Sequence, residues 1–206
     1  MSLLEVLRHK TRTQHEALHH HPLLRGLSDE GLTRADFDHI LLAFDAYYRR
    51  AEAARKFAAP EGVPDAPVLA WLAADLERQG LEGLSGIEID FQALDTPSKL
   101  AGYLYTKQGS TLGGHVISKH LERCLGLVPH RDQAFFAGYG AEPLTGNGAR
   151  WKRFVAWLDG GDFDVDAAVM TAQLSFDAIA AACDRVVEMR QAPGRPPRFV
   201  HGAAHV

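Results

Sequence analysis

Apolar positions recur along this chain at intervals of three and four residues, and nowhere do they alternate in twos over a useful length. That spacing predicts helices and no strands. Ser2 and Glu5 form a capping box ahead of Leu3, Leu4, Leu7, His15 and Leu18, so a first helix should run to just before Pro22. Thr33 and Asp36 resemble a second cap, opening a long helix through Phe37, Ile40, Leu41, Phe44, Tyr47 and Tyr48 toward Ala59, where Pro60-Glu61-Gly62 stops it. Asp65 and Pro67 start a third helix that stops at Gly80. After a Gly- and Asp-bearing connection over 81–95, Thr96 and Pro97 supply the cap and first-turn proline of a long helix reaching Leu125-Gly126. Shorter helices are predicted over 131–138 and 151–158. A last one opens at Asp164 or Asp166 and runs through Val169, Leu174, Phe176, Ile179 and Val187. The expectation is one all-α domain over residues 1–190, followed by an extended or mobile tail over 191–206, where prolines and a glycine forbid a helix.

One segment conflicts with its surroundings. Gln108-Gly109-Ser110-Thr111-Leu112-Gly113-Gly114 lies inside the long helix, and each interior glycine costs about 1 kcal/mol relative to alanine. Such a defect persists where something approaches the backbone too closely for a Cβ. Gly109 and Gly113 are four apart and so share one helix face. On the first helix, Thr11 and His15 share the inner face. A histidine opposite a stripped backbone suggests a flat cofactor clamped between two helices. Arg8 lies seven residues before His15, about 10 Å along the axis. That is about the distance from a porphyrin's iron to its carboxylate edge, so Arg8 is placed to hold a propionate while His15 supplies an axial nitrogen. A kink at the glycines would bend the helix across the ligand.

Composition narrows the field. The chain has 206 residues, enough to bury a core without disulfides, and its formal charge is −4 with lysines and arginines scattered, which argues against nucleic acid. Its two cysteines, Cys124 and Cys183, form no Cys-x-x-Cys pair, as expected in a reducing compartment. No membrane-spanning run or secretory signal is read, so the cytoplasm is the expected location. The His19-His20-His21 run reads as a solvated helix end. No phosphate loop, nucleophile elbow, flavin or nicotinamide fingerprint is present.

The stretches Leu7-Arg8-His9-Lys10-Thr11-Arg12-Thr13-Gln14-His15-Glu16 and Gly102-Tyr103-Leu104-Tyr105 through Gly109-Ser110-Thr111-Leu112-Gly113-Gly114-His115-Val116-Ile117 resemble haem oxygenases. The likeness is greatest to the bacterial type found alongside bacteriophytochromes. It implies the haem-oxygenase-like helical fold with a glycine-kinked distal helix, and the O₂- and electron-dependent opening of haem to biliverdin with release of CO and iron. It implies His15 as the proximal iron ligand and Gly109, Ser110 and Gly113 as the distal catalytic segment. Arg8, Thr11, Gly114, Lys152 and Phe176 would complete the haem site. Haem would be both substrate and cofactor. The implied partners are O₂, an external electron donor (a ferredoxin or a reductase) and a bacteriophytochrome that receives biliverdin. Four positions depart from the family pattern: Ser110 where many members carry Asp, His115 for a glutamine, Ala156 for an arginine of animal members, and His19 for a carboxylate. The alternative from another class is a haem-binding or trafficking protein that keeps the pocket without turnover.

Overall fold

The computed structural model describes residues 1–191, and the predicted tail over 191–206 lies almost wholly outside them. Seven α-helices are described: α1 (Leu3–Lys10), α2 (Arg12–His20), α3 (Arg34–Ala53), α4 (Val68–Gln79), α5 (Pro97–Leu125), α6 (Asn147–Gly160) and α7 (Val165–Gln191). A 3-10 turn, Arg25–Ser28, lies between α2 and α3. Among the described residues there is no β-strand, only two isolated bridges, Arg55 with Leu94 and Pro129 with Gln133.

The caps predicted from sequence form as expected. Glu5 N–H donates to Ser2 Oγ and Ser2 N–H to Glu5 Oε2; Thr33 and Asp36 repeat the exchange at the start of α3. Thr96 Oγ1 accepts from Lys99 N–H, and Gly80 and Gly126 end α4 and α5 in the left-handed region.

Three expectations are corrected. The first helix is two: the chain breaks at Thr11, whose hydroxyl donates to the Leu7 carbonyl at 2.8 Å. The second ends at Ala53 rather than near Ala59. No helix covers 131–138. There the buried Asp75 carboxylate of α4 accepts the N–H groups of Ala134 and Phe135, which would otherwise start a helical ladder. His130, Gly138 and Gly140 all take positive φ in the same stretch. Burial pushes the Asp75 carboxyl up, although both N–H groups and Arg78 oppose the shift.

α5 and α7 pack along each other at the centre, with α3 against α7 and α4, α1 and α2 on α7, and α6 beside α5 and α1. Gly102 permits the close approach of α5 to α7: a Cβ there would sit 2.1 Å from the Ala168 carbonyl oxygen. Phe37, Tyr47, Tyr48, Tyr103 and Phe154 fill the core. α7 is the one described helix long and apolar enough to cross a membrane, and half of its most apolar window is buried against the other helices.

Candidate functional site

α1, α2, α3, α5, α6 and α7, together with the turn after α2 and the 131–138 segment, line a cavity of about 570 Å³. Cofactor and small-molecule sites span roughly 300–1,000 Å³. On α5 the lining residues are Thr106, Gly109, Ser110, Gly113, Val116 and Ile117, with Tyr105, Thr111 and Leu112 beside them. The first six follow i, i+3/i+4, i+7 spacing, so one stripe of the helix faces the space. An ideal Cβ at Gly109 or Gly113 would meet nothing within 4 Å. These two glycines therefore leave open volume next to bare backbone. α5 is continuous through them from Pro97 to Leu125, as the single long helix read from sequence requires.

His15, on α2, also lines the cavity. Its ring meets Phe176 of α7 edge-on at 5.8 Å between centroids, and His19, one turn on, at 4.7 Å. Partial burial lowers the pKa of the imidazole, and His19 adds to the effect while Glu16 opposes it. His15 is thus neutral at neutral pH, the form in which a ring nitrogen can bind a metal.

The walls are largely apolar: Leu18, Leu24, Leu27, Phe44, Phe135, Phe136, Phe176 and Ile179. Arg8 lies at the cavity with its guanidinium carbon 6.0 Å from the centre of the Trp151 ring. None of the described lining residues is a carboxylate. An apolar space with one arginine and two histidines suits a ligand that is flat, mostly apolar and anionic at one edge.

On α3, Tyr48 is fully buried, and its hydroxyl has no hydrogen-bond partner among the described residues. Burial pushes the phenol well above its ordinary pKa, and Ser110 pulls it partly back. The Thr106 hydroxyl, in the cavity wall, is likewise buried and without a partner among the described residues. Buried polar atoms of this kind are normally satisfied by ordered water.

Of the residues singled out from sequence, His15, Arg8, Gly109, Ser110, Gly113 and Phe176 come together here. Three do not line the cavity. Thr11 is buried behind it, with its hydroxyl 3.5 Å from the Tyr105 hydroxyl, and it is Tyr105 that faces the space. Gly114 is turned about 100° from Gly113, and its Cβ position lies 2.7 Å from the Phe136 carbonyl oxygen, a packing contact. Lys152 is exposed, and its neighbour Trp151 reaches the wall instead. The His19–His21 run is not a uniform solvated end either. His19 lines the cavity and His21 is buried, bonded to Asp184 at 3.1 Å. Phe135, Phe136, Leu24, Leu27 and Trp151 had no distinguishing signal in sequence, because an apolar residue in a pocket wall reads like one in the core.

The arrangement defines a haem-oxygenase-like helical fold. A solved structure that shares it is the NO- and CO-bound heme oxygenase from Neisseria meningitidis, with a TM-score of 0.70 at 16% identity, covering 91% of this chain and 93% of that one. No family model matches the chain, and no curated protein matches it.

Proposed function

We propose that this protein is a haem oxygenase that opens haem to biliverdin and releases CO and iron. The observation that carries the reading is the pairing of a neutral imidazole, His15, with the side-chain-free stripe at Gly109 and Gly113 in the walls of one apolar cavity. The residues present fit the substrate. A planar ring needs width without Cβ atoms on one face, and the two glycines provide it. Haem supplies the iron at which O₂ is reduced. His15 would hold that iron from α2, and Arg8, steadied over Trp151, would pair with a propionate. Ser110 puts its hydroxyl on the cavity wall, and the buried Tyr48 phenol near it lies outside the lining. Burial raises the Tyr48 pKa, so the phenol keeps its proton across the physiological range. From Thr106 to Ile117 the α5 face would offer the ligand hydroxyls and bare backbone, with no carboxylate or imidazole among its lining residues.

Electrons come from a separate donor, a ferredoxin or reductase, and a bacteriophytochrome is the proposed recipient of biliverdin. Aerobic incubation of the purified protein with haem and ascorbate tests the reading. Loss of the Soret band with growth of red biliverdin absorption is expected. A stable Soret band throughout would instead identify a haem binder.

A further inference from the structure

The residues between α2 and α3 supply Leu24, Leu27 and Ser28 to the cavity wall. Two histidines tie this strap to the body of the molecule. At its start, His21 Nδ1 accepts from Leu23 N–H at 3.1 Å, so Nε2 carries the proton and donates to Asp184 Oδ1 on α7. At its end stands His120 of α5, seven residues beyond Gly113 and 6% exposed. Arg123 Nη2 lies 2.8 Å from His120 Nδ1. A guanidinium only donates, so Nδ1 is the bare nitrogen and Nε2 bears the hydrogen. That N–H points at the Asp29 carbonyl, 3.0 Å away. Asp29 N–H in turn closes the 3-10 turn on the Gly26 carbonyl at 3.2 Å. The Cys124 thiol lies against the same ring, 3.7 Å from Nδ1 and 3.6 Å from Nε2.

We infer that His120 is a positioning residue for the haem site: it latches the wall formed by residues 24–28 to the distal helix. Without the latch the turn is anchored at its His21 end and loosened at the other. Leu27 and Ser28, next to Asp29, then lose their fixed distance from the Gly113–Ile117 face of α5. Nothing in this chemistry requires His120 to touch haem. The role as a site wall rests on the proposed function; the latch itself does not.

The test compares full-length wild type, His120→Leu and His120→Gln in two assays. Without haem, trypsin cleavage after the exposed Arg25 reads the opening of the strap. One lost hydrogen bond of ordinary strength corresponds to roughly a fivefold increase in opening. His120→Leu should accelerate that cleavage by about this factor and weaken haem binding to a similar extent. The glutamine amide can donate to the Asp29 carbonyl and accept from Arg123, so His120→Gln should restore both. A leucine variant with unchanged cleavage, or a glutamine variant as loose as leucine, would overturn the inference. If His120→Leu does not fold, Arg123→Met serves instead. It frees the tautomer and should raise cleavage by a smaller factor, and no rise counts against the latch. Failure of the wild type to bind haem sinks the functional reading, while the cleavage comparison still decides the latch.

Discussion

A methyl group added at Gly113 would project into the cavity, whereas one added at Gly114 would press on the Phe136 carbonyl. Overpacking costs about 1–3 kcal/mol, against roughly 1 kcal/mol gained in helix propensity. A backbone oxygen cannot rotate aside, so Gly114→Ala should lower the melting temperature while Gly113→Ala leaves it level or raises it. Gly113→Leu should abolish haem binding with helical circular dichroism intact, and normal affinity in that variant would contradict the proposed roof. In sequence the three glycines read as one run. Only the 100° step of the helix separates Gly114, a packing residue, from the two that face the cavity. His15 carries a pH prediction of its own. Its pKa is lowered by burial and by His19, so it takes up its proton at a lower pH than an ordinary histidine, whose value is about 6.5. A protonated ring cannot ligate iron. Haem affinity should therefore hold down to about pH 6.5 and fall below it as His15 gains its proton. A titration series across that range checks the sign, and affinity rising on acidification would refute it.

The back of α5 is held by charge rather than by apolar packing alone. Lys107, 2% exposed, places its ammonium 2.6 Å from both Glu52 of α3 and Asp65 ahead of α4, and Arg55 bridges the same two carboxylates. Tyr103 adds a hydrogen bond to Glu52 at 2.5 Å. Burial pushes both carboxyls up, but Lys107 and Arg55 outweigh it and hold Glu52 and Asp65 below their usual values. A depressed carboxyl stabilises the fold above its unfolded pKa, near 4, and the contribution is lost as pH falls through the folded value. Lys107→Met should cost about 3 kcal/mol at pH 7, the low end for a broken buried pair because Arg55 remains and Asp65 is partly wet. The deficit should shrink near pH 3, where both carboxyls take up protons, and chemical denaturation at the two pH values measures it. None of this was legible in sequence, since Lys107 sits beside the glycine run with nothing local to mark it as buried. Helix starts were legible because Ser2, Thr33 and Thr96 cap through contacts three residues away. The failure at 131–138 has the opposite cause. Its backbone donors go to Asp75, some 60 residues distant in sequence, and helical periodicity cannot report a tertiary competitor.

Across the whole molecule, helix content and order follow from local pattern, while the cavity arises only when α1, α2, α3, α5, α6 and α7 are brought together. Arg8 and Trp151 illustrate this: 143 positions apart in sequence, they meet only because α1 lies against α6. The haem-oxygenase-like fold sets this meeting of helices, and the chemistry depends on which residues stand at it. The most direct measurement is the absorption spectrum of the ferric haem complex for wild type, His15→Ala, and His15→Ala supplied with free imidazole. A wild-type Soret band that is lost or shifted in the variant and recovered with imidazole is expected, because the small molecule would occupy the space the side chain vacates. A spectrum unchanged by His15→Ala would mean that iron is held elsewhere, and the cavity shared by His15 and the glycine stripe would have no bearing on haem.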